Sequence, residues 1–193
     1  MTTQATTIKE AQTQFPVMDL IRERWSARSF SEQEIDSETM NTILEGASWA
    51  PSANNEQPWQ FFVAHKNTPA FDLVWEALMP GNQPWTQKAA AFVVSIARTE
   101  FSANQKPNAY AEHDLGLANA FLILQARKLE VFTHIMAGFE KGKLSENLGL
   151  TPTQKPMTVL ALGYLDEAEK LEEPFRTREL TPRNRKPLSE IVL

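Results

Sequence analysis

Between residues 109 and 129 the side chains of Leu115, Leu117, Ala118, Phe121, Leu122, Leu124 and Leu129 cover nearly the whole circumference of a helix. A helix that is apolar all round has to be buried on all sides. In a chain of 193 residues this leaves two placements: a central helix wrapped by the rest of the chain, or one shared with a second copy. A hydrophobic content of 42% suffices for one substantial core, and no break in composition divides the chain. The expectation is one domain over residues 1–193.

The other elements assemble around that helix. Residues 1–15 are polar, rich in Thr and Gln, and are expected to be loosely ordered. Residues 17–25 read as a short helix with Val17, Leu20, Ile21 and Trp25 on one side. Asp36 caps a second helix whose Met40, Ile43, Leu44 and Ala47 follow helical spacing, and Ala50-Pro51 stops it. The run from Pro51 to Pro58, PSANNEQP, consists of turn formers and feeds a strand at residues 59–64. A helix over 69–79 carries Phe71, Val74, Trp75 and Leu78. Residues 89–97 are continuously apolar, as a strand covered on both faces would be. A short helix near Leu144 and a third strand at 158–164 follow. From 167 to 193 the chain is charged and proline-punctuated, so it should lie on other elements or reach across to a partner. There are too few strands for a doubly wound sheet, which leaves an α+β fold with a mixed sheet.

Composition and missing motifs exclude much. The formal net charge is −5, so there is no chain-wide basic field for nucleic acid and any anion must be held by a local cluster. No cysteine is present, which removes disulfides, thiolate metal sites and cysteine nucleophiles together. No signal-peptide pattern and no apolar run of membrane-spanning length occurs, so a soluble cytoplasmic protein without a membrane partner is expected. No G-x-G-x-x-G, Walker-type loop or G-x-S-x-G elbow is found. His65, His113 and His134 lack metal-ligand spacing and read as surface or packing residues.

Two basic groups remain. Arg22, Arg24 and Arg28 fall within seven residues, and Arg176, Arg178, Arg183, Arg185 and Lys186 lie in the tail. Guanidinium forks match phosphate oxygens in a bidentate way, so the two groups together suit a phosphate monoester.

These residues also carry a resemblance. The segment from Arg24 to Phe30, RWSARSF, resembles the R-x-S-x-[RK]-x-F opening of nitroreductase-family domains, and Ala50 to Trp59, APSANNEQPW, resembles their APS-x-x-N-x-QPW loop. Ala137-Gly138-Phe139 resembles the family's glycine-phenylalanine turn, Leu162-Gly163-Tyr164 its late strand, and Arg183 to Leu188 its basic C-terminal segment. Together these span almost the whole chain.

The resemblance implies a mainly antiparallel sheet flanked by helices, a long central helix at the interface of a homodimer, and an extended tail crossing to the partner. It implies FMN as cofactor and NADH or NADPH as transient donor, with hydride passed by a ping-pong route to a small electrophilic acceptor such as a nitroaromatic or quinone. By position, Arg24 and Ser26 would hold the FMN phosphate, with Arg183 and Arg185 completing the pocket. Arg28 would lie nearer the ring and stabilise reduced flavin. Pro51, Ser52, Ala53 and Asn55 would line the ring from the partner's side, Gly138 would let backbone approach its N5 edge, and Asn82 would meet the pyrimidine edge. Trp25, Ala53 and Ala137 depart from the family's usual residues, and these changes bear on the ring-edge contacts. Alternatives are a flavin-dependent dehydrogenase or oxygen-consuming branch of the same fold, or a flavin-binding module without rapid turnover.

Overall fold

The computed structural model describes residues 3–193. Four strands, β1 (Trp59–His65), β2 (Ala91–Arg98), β3 (Phe132–Met136) and β4 (Gln154–Gly163), form one sheet in the order β1-β2-β4-β3. Every neighbouring pair is antiparallel. A parallel contact enters only as a single bridge between Ser26 and Thr133 of β3. The expected α+β fold with a mainly antiparallel sheet is therefore present.

β2 sits in the interior of the sheet, and every residue from Ala91 to Ala97 is buried. This explains its continuous apolar run: both faces are covered. On one face α3 (Ser37–Ser48) and α6 (Ala111–Lys128) pack Met40, Ile43, Ala47, Leu122 and Ala126 against Ala91, Val93, Leu160 and Leu162. On the other, Phe92, Val94, Ile96, Val159 and Ala161 meet Trp25, Phe30, Trp85 and residues of α4 (Pro69–Glu76) and α7 (Lys141–Asn147). Phe30 lies so close to Gly163 that a Cβ there would approach its ring carbon to 2.7 Å. The glycine at the end of β4 thus admits the phenylalanine that ends the Arg24 segment.

Several expectations need correction. A fourth strand exists: β3 follows α6 directly and occupies the free edge of β4, which itself begins at Gln154 rather than Thr158. The helix expected over 17–25 shortens to α2 (Asp19–Glu23), since Arg24 already has extended backbone angles. The N-terminus is not loose throughout. Gln4–Lys9 forms α1, begun by a reciprocal capping box between Thr3 and Thr6. The Lys9 ammonium then donates to the carbonyls of Arg178 (2.7 Å) and Thr181 (2.6 Å), tying α1 to the tail. The tail is also more structured than expected, holding α8 (Phe175–Glu179) and packing on its own chain as far as Arg183, while residues 184–193 are exposed.

α6 covers the expected span, but burial on all sides is not reached within one chain. Leu115, Ala118, Leu122 and Ala126 are buried, whereas Gly116, Ala120 and Phe121 are exposed, Phe121 by 41%. Two polar residues also face the core: Asn119 is held by Ser95 (2.7 Å), and Asp114 is used by the loop described below.

Candidate cofactor site

After α2 the chain runs extended, so successive side chains alternate. Trp25 and Ala27 turn into the core, Trp25 at 4.5 Å from the Phe132 ring, while Arg24, Ser26 and Arg28 are half-buried. The bridge from Ser26 to Thr133 fixes this segment along the β3 edge.

Arg183 comes back from the tail as a strut. Its guanidinium donates to the carbonyls of Lys9 (2.6 Å) and Arg24 (2.5 Å), and also to that of Arg22. Among the described residues the Arg185 guanidinium bonds only its neighbour's carbonyl, that of Asn184. The structure brings Arg24, Arg183 and Arg185 together. Burial, and then the nearby positive charge of Arg185, lower the proton affinity of Arg24; burial followed by Arg24 and Arg185 does the same for Arg183. Arginine stays charged regardless. Arg24 Nε is buried and has no acceptor among the described residues, and none of the three forms an ion pair there. Clustered cations without a carboxylate, one donor of them orphaned, suit a polyanion such as a phosphate monoester. Arg22 does not join them; it pairs with Glu10 and Asp19.

Arg28 also lies apart from this group. Its guanidinium sits over the Trp85 ring, 5.8 Å from the centroid, and 3.9 Å from a carboxylate oxygen of Glu179. Glu179 is fully buried and accepts from the Trp25 indole (3.0 Å) and the Arg28 backbone N–H (3.2 Å). Nothing in the sequence marked it, because it stands in a stretch whose charges read as solvated.

The loop from Pro51 to Pro58 is built for display. Asn54, Asn55 and Gln57 have φ of 53°, 55° and 53°, a conformation that costs non-glycine residues energy and concentrates at functional sites. The loop is held by Asp114, whose buried carboxylate accepts from the Ala53 N–H at 2.9 Å, and by Ser52 Oγ, which accepts from the Gln57 N–H at 3.0 Å. Pro51 and Asn55 are exposed and Ser52 and Ala53 half-buried. The available signal for Asp114 was its helical register with Ala111, Ala118 and Leu122 on the buried face.

This loop leads into β1, one edge of the sheet, whereas Ser26 lies beside β3, the other edge. Three strand spacings, about 14 Å, separate the two edges. The loop and the Arg24 group are thus on opposite flanks of a single chain.

Asn82 and Gly138 do meet. The Asn82 amide donates to the Gly138 carbonyl at 2.9 Å, and a Cβ on residue 138 would lie 2.8 Å from that amide nitrogen. Gly138→Ala should therefore displace Asn82 and destabilise the chain by about 1–3 kcal/mol, measurable by chemical denaturation.

His134 is a packing residue, as its spacing suggested. Its Nδ1 lies 3.0 Å from the Ala27 carbonyl, to which it donates, and its ring is 4.4 Å from Trp85. Burial, then the charge of Arg28, pulls its pKa down to about 4. The unfolded chain, with an ordinary value near 6.5, therefore binds this proton more readily. His134 contributes full stability above about pH 6.5 and loses it as pH falls towards 4. Between pH 7 and pH 5 the loss should be about 2 kcal/mol in urea denaturation, and His134→Gln should remove that part of the pH dependence.

Comparison with known proteins bears on the family and the fold. A family model described as the nitroreductase family matches residues 21–164. A protein of Archaeoglobus fulgidus, provisionally named an NADH dehydrogenase/NAD(P)H nitroreductase, is 31% identical, over 76% of this chain and 84% of its own. A solved structure described as an oxidoreductase containing FMN is 35% identical, with a TM-score of 0.89 and coverage of 94% of this chain and 93% of its own. A solved nitroreductase-type protein from Desulfovibrio desulfuricans, in complex with FMN, shares the fold at 23% identity and a TM-score of 0.73, over 94% and 97% of the two chains.

Proposed function

Because the chain belongs to the nitroreductase family, we propose that it is an FMN-dependent oxidoreductase taking hydride from NADH or NADPH and reducing a small electrophilic acceptor, a nitroaromatic, quinone or similar compound. The observation that carries this reading is the Arg24 group, three arginines without a carboxylate and with Arg24 Nε lacking an acceptor. Its chemistry fits the phosphate of FMN, and the FMN-containing relative of high structural similarity supports the same choice.

In this reading Arg24 and Arg185 bind the phosphate directly and Ser26 adds a hydroxyl donor. Arg183 holds the backbone of the Arg24 segment in place through its three carbonyl contacts. Arg28, steadied by Glu179 at 3.9 Å and by the Trp85 ring with its guanidinium hydrogen-bond donors unused, would stand nearer the flavin ring and stabilise its reduced form. Asn82 and Gly138 form a rigid, closely packed backbone surface for the ring edge. When bound, FMN supplies the hydride chemistry, accepting from the nicotinamide and delivering to the acceptor.

The protein acts as a homodimer. Its loop and arginine group lie on opposite flanks of one chain, so the Pro51, Ser52, Ala53 and Asn55 loop of one copy completes the site of the other. The open Gly116, Ala120 and Phe121 strip of α6 supplies a contact surface, and the exposed Leu188, Ile191 and Val192 of the tail reach the partner.

If donor and acceptor use one place in turn, initial rates at varied donor and several fixed acceptor concentrations give parallel double-reciprocal lines. Intersecting lines would contradict the ping-pong route.

A further inference from the structure

Asn82, just before α5 (Gln83–Thr86), and Gly138, just after β3, bond each other, so they stand with Ser26 at the β3 edge of the sheet. The loop from Pro51 to Pro58 leads instead into β1, at the opposite edge. Whatever fixes that loop within its own chain therefore acts on a site beyond it.

The turn is closed by bonds of its own. The Asn55 N–H donates to the Ser52 carbonyl at 3.1 Å and the Glu56 N–H to the Ala53 carbonyl at 3.0 Å. These do not tie it to the rest of the chain, and three left-handed residues in one turn persist only where the surroundings over-determine them. Two carboxylates supply that constraint. At one end the Asp114 carboxylate accepts from the Ala53 N–H at 2.9 Å. At the other, the Glu56 carboxylate accepts from the Ser102 N–H (2.7 Å) and hydroxyl (2.6 Å), with Arg98 at 3.6 Å.

Asp114 reaches deeper into the fold. Its side chain is 3% exposed, and among the described residues no Lys or Arg pairs with it; its second oxygen meets the exposed His113 imidazole at 2.9 Å. A buried carboxylate without a cation is unfavourable unless it is hydrogen-bonded. Its place in the first turn of α6 offsets part of that cost, since a helix N-terminus favours negative charge. Further along the same helix, Asn119 bonds Ser95 of β2 at 2.7 Å and Thr158 of β4 at 3.3 Å. The sheet interior thus sets α6, and α6 sets the loop.

We propose that Asp114 and Glu56 are positioning residues for the FMN site of the other copy, because they fix the loop that each copy lends to its partner. The proposal rests on the shared cofactor site set out above.

Fluorescence titration with FMN, and hydrogen exchange at the Ala53 amide without FMN, test it. Asp114→Ala should speed exchange at Ala53 about tenfold. It should weaken FMN about tenfold, as the loss of one charge-assisted hydrogen bond implies. Asp114→Asn keeps an oxygen for the same N–H and should restore both. Glu56→Ala, at a half-buried loop position, should weaken FMN less, and it takes the place of Asp114→Ala if that variant does not fold. A merely structural role would lower the melting temperature and leave the folded protein's FMN affinity unchanged. Co-expression of Arg24→Ala and Asp114→Ala chains then shows whose site the loop serves. In a mixed dimer both defects fall in one site and the other is intact, so about one site in four should regain wild-type affinity. If the loop served its own chain, no site would be intact. The proposal is overturned if Asp114→Ala or Glu56→Ala leaves FMN affinity unchanged, if Asp114→Asn fails to restore it, or if the mixture shows no wild-type sites. These outcomes leave the cofactor reading standing, whereas a wild-type protein that binds no FMN would refute that reading and this proposal with it.

Discussion

Arg24→Ala lowers the affinity for FMN by about two orders of magnitude while leaving the fold nearly intact. The size follows from what the side chain offers. A charge-assisted hydrogen bond contributes about 1.5–3 kcal/mol, and each 1.4 kcal/mol is tenfold in affinity. Arg24 Nε has no acceptor within the described chain, so its removal breaks no internal hydrogen bond through that atom. It also relieves the repulsion that Arg24 and Arg185 exert on each other. Fluorescence titration with FMN, beside a thermal melt of the apoprotein, separates the two quantities. Arg183→Ala should behave differently, losing stability as well as FMN, because three backbone carbonyls lose their donor. Equal FMN affinity in wild type and Arg24→Ala would remove the phosphate role from this residue.

The largest effect on stability is expected at Glu179. Its carboxylate is completely buried, yet it accepts from the Trp25 indole and the Arg28 N–H and faces the Arg28 guanidinium. Burial pushes its carboxyl above the usual range, while the Trp25 and Arg28 contacts and the charge of Lys9 pull it back. Its partners are themselves desolvated: burial lowers both Lys9 and Arg28, and Glu179 opposes that shift in each. Glu179→Ala leaves two donors and two cations without their anion, a change that costs about 3–5 kcal/mol. For a chain of this size that is a fall in melting temperature of roughly 10 °C. Glu179→Gln keeps an amide oxygen for one donor and should fall by less. Circular dichroism melts of the two variants check the order.

The candidate site was legible through the family resemblance of local segments, and the turn formers after Ala50-Pro51 were readable as a helix stop. The extended course of Arg24 to Arg28 was not, since Arg24 was read into the helix over 17–25. Asn82 and Gly138 were readable only as separate contacts to the pyrimidine and N5 edges of the cofactor, and their contact with each other depends on folding. β3 was not legible. Its five residues are too few to show alternation, and they become a strand because the edge of β4 is free beside them. Glu179 and Lys9 were hidden for another reason. A charge in the charged tail or in a polar N-terminal run reads as solvated, and the packing of α8 and α1 buries them. The helix over 109–129 forms, but it is not apolar and buried all round: Leu115, Ala118, Leu122 and Ala126 are buried, while Gly116, Ala120 and Phe121 are exposed. That exposed remainder, with the loop and the arginines on opposite flanks, is what carries the dimer proposal.

The most direct measurement is an absorbance scan of the purified protein after saturation with FMN and desalting, followed by anaerobic addition of NADH or NADPH and then of an acceptor such as a nitroaromatic. The account predicts that flavin bands stay with the protein at one FMN per chain, bleach with at least one nicotinamide, and return when the acceptor is added. A protein that emerges without flavin bands, or whose bands neither nicotinamide bleaches, would contradict it.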